Sequence, residues 1–121
     1  IEISEPAIQL AKANALIHNL NNVLFKMGKA EAIFQQLDFS GSVASVIIDP
    51  PRKGCDTVFI DQLLSFAPQK IIYVSCDPAT QARDLKLLLA DDYRLIDLQP
   101  FDLFPHTRHI EAVAILERIE A

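Results

Sequence analysis

Two apolar runs in this 121-residue chain each lead into an aspartate-proline step. Val43-Ala44-Ser45-Val46-Ile47-Ile48 stops at Asp49-Pro50-Pro51, and Lys70 to Ser75 passes through Cys76 into Asp77-Pro78. The first run is nearly continuous in apolar residues, as a strand covered on both faces should be. Proline after aspartate ends pairing and opens the next element. Helical spacing follows each run. Phe59, Leu63 and Phe66 share one side of residues 57–67, and Ala79, Ala82, Leu85 and Leu89 form the expected buried stripe beyond Pro78. A strand that runs into a helix start, twice in succession, restricts the chain to an α/β sheet whose strands are joined by helices.

The flanking segments extend this pattern. Ile1-Glu2-Ile3 reads as the end of a strand, and Ser4 or Glu5 can cap a helix with Pro6 near its first turn. Leu10, Ala13, Ile17 and Leu20 recur at helical spacing, while Ala7, Ala11 and Ala15 would let the helix lie close to a sheet. Asn19, Asn21 and Asn22 end it; residues 23–25 read as a short strand and 30–37 as a second helix. At the other end, 93–98 and 111–118 read as strands joined by a loop over 99–110, with no helix between them. The expected architecture is a mostly parallel sheet with an antiparallel C-terminal strand. Ligands of such sheets sit beyond the carboxyl ends of the parallel strands, which directs attention to Glu2, Asp49 and Cys76.

Composition narrows the function classes. Half of the residues are hydrophobic and 22% are charged, so a packed core is expected and disorder is not. No apolar run approaches the roughly 20 residues that cross a bilayer. Cys55 and Cys76 are too few for a disulfide scaffold and lack zinc-ligand spacing, so free thiols in an intracellular compartment, cytoplasmic or nuclear, are expected. The net charge of -5 counts against a free-standing nucleic-acid binder unless a partner domain carries the basic surface.

Several residues have the chemistry of a site. Cys76 stands where a strand meets a helix start, where unpaired amides and the helix dipole stabilise a thiolate; the alternative is a small buried apolar residue. Cys55, in a loop after Gly54, reads as a bystander. Asp49, held extended by the following prolines, either accepts hydrogen bonds from a ligand or caps a turn. Glu2 resembles the acidic residue that accepts ribose hydroxyls in nucleotide-binding α/β domains. The stretch from Phe101 to Glu111 gathers aromatics, His106, His109, Arg108 and a carboxylate, yet the spacing of the two histidines does not make a metal site, and none is expected. Glu111 is either a solvent-facing strand end or a base.

Taken together, these residues resemble the RNA (uracil-5-)-methyltransferase family. Three blocks carry the likeness: Asp49-Pro50-Pro51-Arg52-Lys53-Gly54, Val74-Ser75-Cys76-Asp77-Pro78, and Phe104-Pro105-His106-Thr107-Arg108-His109-Ile110-Glu111. Asp77 stands where the family usually has Asn, and either residue can cap a helix. Arg52 to Asp56 and Gln81-Ala82-Arg83-Asp84 look closest to the tRNA-modifying enzymes of fungal type. The resemblance implies a Rossmann-like fold, S-adenosyl-L-methionine as cofactor and an RNA substrate, tRNA before rRNA. It implies Cys76 as nucleophile, Glu111 as base, and Glu2 and Asp49 as cofactor-binding residues. It further implies that residues 1–121 are the C-terminal portion of a catalytic domain in a longer protein, without the N-terminal strand and glycine-rich loop. Such a piece alone would be inactive, bind the cofactor weakly and be prone to associate through bare strand edges.

Three rival readings share features of the pattern. Methylation of an exocyclic amine often uses an aromatic where Arg52 stands, and an RNA cytosine methyltransferase would set its second cysteine differently from Cys55. A phosphoacceptor receiver domain would also place an Asp and a Ser at strand ends, as Asp49 and Ser75 do, but would need an N-terminal acidic pair.

Overall fold

The computed structural model describes residues 1–90 and 92–119 and separates into two units, Ile1–Leu37 and Asp38–Ala121. In the first, α1 spans Glu5–Ile17. Ser4 caps it, its hydroxyl accepting from the Ala7 amide, and the helix closes at His18, just before Asn19 takes a left-handed φ of 54°. The buried side of α1 is the small-residue side: Ile8 and Ala15 are buried and Ala7 and Ala11 half-buried. The stripe expected at Leu10, Ala13, Ile17 and Leu20 is exposed instead, because the alanine face is the one that permits close approach.

The strands expected at residues 1–3 and 23–25 reduce to a single parallel bridge between Glu2 and Met27. The Glu2 amide donates to Lys26 O and its carbonyl accepts from the Gly28 amide. A bridge this short has no further ladder to hold it in a sheet. Residues 30–37 form two successive 3₁₀ turns, Ala30–Ala32 and Phe34–Gln36, in place of the expected α-helix.

The second unit contains β1 (Ser45–Ile48), α2 (Thr57–Phe66), β2 (Lys70–Ser75), α3 (Pro78–Leu88), β3 (Tyr93–Phe101) and β4 (Glu111–Arg118). Val43 falls in a 3₁₀ turn before β1. The strands form one sheet in the order β1-β2-β4-β3. β1 and β2 are parallel, and β4 lies antiparallel to both β2 and β3. Three strands therefore share a direction and only the last runs against them, as expected. β3 extends to Phe101, three residues into the stretch read as loop. Pro100 sits within it opposite Ala112, tolerated because β3 borders the sheet and needs no donor on its outer side. A bulge at Ile96 shifts the register between Leu95 and Asp97.

Burial alternates along β2 and β4. Ile71, Tyr73, Ser75, Ala112, Ala114 and Leu116 are buried, while Ile72, Val74, Val113 and Ile115 on the opposite face are half-buried. α3 packs on β2 and α2 lies against α3, with Phe59, Ile60 and Leu63 inward. Leu63 and Ile71 are wholly buried, each contributing about 1.5–3 kcal/mol by leaving water. The double coverage expected of β1 is not found: Ile47 is 68% exposed, because α2 and α3 cover one face only. Tyr93 anchors the start of β3 by donating to Pro68 O at 2.7 Å, and burial pushes its phenol up to about 12.

α3 corrects the expected stripe. Its buried residues are Gln81, Asp84, Leu85 and Leu88, whereas Ala79 and Ala82 face solvent and Leu89 is half-buried. Two polar side chains can lie on that face because both are hydrogen-bonded. Gln81 Nε2 donates to Tyr73 O and to Ala112 O, both at 3.1 Å, and so pins β2 to β4. Asp84 Oδ2 accepts from the Tyr73 hydroxyl at 2.7 Å.

Candidate active site

The three sequence blocks converge at one end of the sheet. Ladder pairs between β2 and β4 run from Lys70↔Glu117 to Ser75↔Ala112. The ladder ends there: Cys76 follows Ser75 in the bend beyond β2, and Glu111 precedes Ala112 at the head of β4, paired with Phe101 of β3, so both residues lie at this end of the sheet. Both Cys76 and Glu111 are half-buried.

Local chemistry fixes the turn after Cys76. Asp77 Oδ1 accepts from the amides of Ala79 at 2.9 Å and Thr80 at 3.3 Å, capping α3. Ser75 Oγ accepts from the Asp77 amide and donates to Asp77 O, closing the turn around the cysteine. Aspartate thus does the capping where the resemblance leads one to expect asparagine.

The block after β1 is drawn to this turn. Asp49 is exposed at the carboxyl end of β1. Three residues on, Arg52 offers its carbonyl to Thr80 Oγ1 at 2.8 Å, while its Nη2 lies 3.5 Å from His109 Nε2. The first block therefore touches the third and the helix that follows the second. In the third, Phe104 to Thr107 form a turn closed by the Thr107 amide on Phe104 O at 3.2 Å. Pro105 presets the second position, and His106 holds a left-handed φ of 63° at the third. That conformation costs a side-chain-bearing residue of order 1 kcal/mol. Thr107 Oγ1 accepts from the His109 amide, and the His109 ring meets Phe104 edge-to-face at 6.4 Å.

Glu2 belongs to the first unit, where its Oε1 accepts from the Ser4 amide at 2.7 Å. Among the described residues no group of three or more His, Cys, Asp or Glu could hold a metal ion. A concavity of about 820 Å³ lies at the opposite end of the sheet, lined by Gln69, Arg94, Glu117 and Arg118, and takes no residue from the three blocks.

Burial, followed by the nearby Asp84 charge, pushes the Cys55 thiol up from 9.0 to about 11. Cys55 should therefore react with N-ethylmaleimide at pH 8 more slowly than the same thiol in the unfolded chain, as read by peptide mass spectrometry; labelling as fast in the folded protein would overturn this. The linkage has a definite sign. Because the folded value lies above the unfolded one, the contribution of Cys55 to stability is present below about pH 9 and is lost as the pH rises through about 11.

Sequence reasoning missed the buried polar residues Gln81, Asp84 and Tyr73. The signal for Gln81 and Asp84 was the spacing 81, 84, 85, 88 on α3, one helical face once polar side chains are admitted to it.

The sequence profile of tRNA (Uracil-5-)-methyltransferase matches residues 1–119. The chain belongs to that family. Within the tRNA (uracil-5-)-methyltransferase family, it is 49% identical over 117 residues to an uncharacterised RNA methyltransferase of Listeria innocua, covering 96% of this chain and 26% of that protein. One from Staphylococcus aureus strain COL is 47% identical over 116 residues, 95% of this chain and 25% of that protein. The chain thus spans about a quarter of the length of these curated relatives. The structure is similar to Pyrococcus abyssi tRNA (uracil-54, C5)-methyltransferase, crystallised with S-adenosyl-L-homocysteine. Their TM-score is 0.76 at 37% identity, over 94% of this chain and 27% of that one. A Streptococcus thermophilus rRNA methylase, 10% identical, shares the fold at a TM-score of 0.74 over 98% of this chain and 70% of that one. The fold is the Rossmann-like one of these methyltransferases, and the receiver reading falls with the family membership. These relatives are bacterial and archaeal, and they add no support for a fungal-type affinity. No described helix is long and apolar enough to cross a membrane.

Proposed function

We propose that the longer protein containing this chain methylates carbon 5 of uridine in RNA, with tRNA as substrate before rRNA. The observation that supports this reading is the end of the β2–β4 ladder at Ser75↔Ala112, which leaves the next residue of one strand, Cys76, and the preceding residue of the other, Glu111, at the same end of the sheet within a chain of this family. A nucleophile and a base at one end of a sheet suit a reaction that needs both at a single pyrimidine ring.

Carbon 5 of uracil is a weak nucleophile. The Cys76 thiolate adds to carbon 6, forming a C–S bond and moving the ring π electrons into an enolate whose carbon 5 is electron-rich. S-adenosyl-L-methionine, when bound, would supply the electrophilic methyl group, the new bond to carbon 5 forming as the sulfonium S–CH3 bond breaks and S-adenosyl-L-homocysteine departs. Glu111 then takes the proton from carbon 5, the C–S bond breaks, the ring double bond returns and Cys76 leaves as thiolate. In the second unit, Asp49, exposed at the carboxyl end of β1, is the residue that would hold the cofactor; in the first unit, Glu2, whose carboxylate also accepts from the Ser4 amide, is proposed for the same role. Phe104, exposed and edge-to-face with His109, offers a surface on which an extruded base can stack. Arg52 and His106 border the same place.

The test is to incubate the full-length protein with S-adenosyl-L-methionine and unmodified tRNA or rRNA, then digest and weigh the nucleosides. 5-Methyluridine, formed in tRNA in preference to rRNA, is expected. Methyl groups found on cytosine carbon 5 or on an exocyclic amine would overturn the assignment.

A further inference from the structure

Helix α3 holds the loop after β1 at four main-chain atoms. Thr80 Oγ1 donates to Arg52 O at 2.8 Å. Arg83 Nη2 donates to Lys53 O at 2.9 Å and to Cys55 O at 3.2 Å. The Cys55 amide donates to Asp84 Oδ2 at 2.8 Å.

The grip has a rigid base. Asp84 is wholly buried, and it is fixed by the Tyr73 hydroxyl at 2.7 Å and by Arg83 Nε and Nη2 at 2.9 and 2.7 Å. Burial first, then the bond to Asp84, holds the Tyr73 proton well beyond the usual phenol range, so the donor stays a donor. Gly54, at φ +77°, makes the close passage possible: a Cβ there would come within 2.6 Å of both Arg83 Nη2 and Asp84 Oδ2.

An exposed loop can satisfy its carbonyls with water, at little net cost in stability. What donors from a single helix add is a fixed location. The same helix is capped by Asp77, the residue after Cys76, so the grip ties the Asp49–Arg52 block to the cysteine through one rigid element.

We infer that Thr80, Arg83 and Asp84 are positioning residues, which set where Asp49 and Arg52 stand relative to Cys76. The inference rests on the function proposed above. The conservative variants are chosen to spare the fold. Thr80→Val removes only the hydroxyl, Thr80→Ser restores it, and Arg83→Lys keeps the charge while losing the planar fork of donors.

In the full-length protein, Thr80→Val and Arg83→Lys should lower kcat/KM for methyl transfer about 10- to 100-fold, the size of effect a small misplacement of reacting groups produces. Their melting temperatures should stay within about 2 °C of the parent, and Thr80→Ser should recover most of the lost rate. Variants as active as the parent, or losses that track melting temperature and are not rescued by serine, overturn the inference. Hydrogen exchange of the Cys55 amide reads the grip without turnover. Slow exchange in the parent and faster exchange in Arg83→Lys are expected, and exchange in the parent as fast as in an unstructured chain overturns it. A parent that methylates no RNA would instead refute the functional reading, and the exchange result would still decide whether α3 holds the loop.

Discussion

Replacing Cys76 with alanine in the full-length protein should depress methyl transfer by about 10⁴-fold or more, the scale seen when a covalent nucleophile is deleted. The loss should be chemical and not structural. Cys76 lies one step beyond the β2 ladder and is half-buried, so trimming its sulfur empties little core. Trapping gives a direct readout. RNA containing 5-fluorouridine, together with S-adenosyl-L-methionine, should form a stable covalent adduct with the parent protein, because fluorine at carbon 5 cannot leave as a proton does. Gel mobility in denaturant detects it. An adduct that persists in Cys76→Ala would move the nucleophile elsewhere in the protein.

Glu111→Gln should separate the two halves of the reaction. Glutamine keeps the shape of the side chain at the head of β4 and its place between β2 and β3, but it cannot accept the carbon 5 proton. The variant should still add to carbon 6 and transfer one methyl group, then stall. Turnover should fall by about 10²–10⁴-fold, the range for loss of a general base, while methylated RNA stays bound to Cys76. A single-turnover experiment with radiolabelled methyl donor measures both quantities. Normal turnover by Glu111→Gln would reduce Glu111 to a strand-end carboxylate.

The parts of the fold read most directly from the sequence were those where local chemistry and tertiary packing agree. Proline after Asp49 and Asp77, with an N-cap at Asp77 and a continuous apolar run from Ile71 to Val74 in β2, leaves few alternatives, and the β-α-β-α order of the second unit follows. Cys76 and Glu111 drew attention because each stands where a strand ends or begins. That β4 brings them to one end of the sheet was not legible, since register between strands distant in sequence is set by the sheet and not by either strand alone. Pro100 and Gln99 resembled a break because the sequence does not disclose that β3 borders the sheet. The burial of Gln81 and Asp84 was not legible because their partners, Tyr73, Cys55 and Ala112, come from other elements. In the first unit, residues 23–25 have strand composition and no ladder, so composition there exceeded what the backbone forms.

The sheet order has a consequence for how the site comes into being during synthesis. β4 follows β3 in the chain, yet it lies between β3 and β2. A nascent chain that has emerged as far as β3 therefore holds β2 and β3 apart, each with a bare edge and no partner for its donors. At about 5–20 residues per second, Cys76 leaves the ribosome seconds before Glu111. Until residues 111–118 insert, Ser75 lacks its ladder partner Ala112 and Gln81 lacks one of its two carbonyls. Closing the sheet and bringing Glu111 to the end that bears Cys76 are thus one late event, and a chain arrested before that strand would carry the cysteine beside an unfinished, association-prone edge.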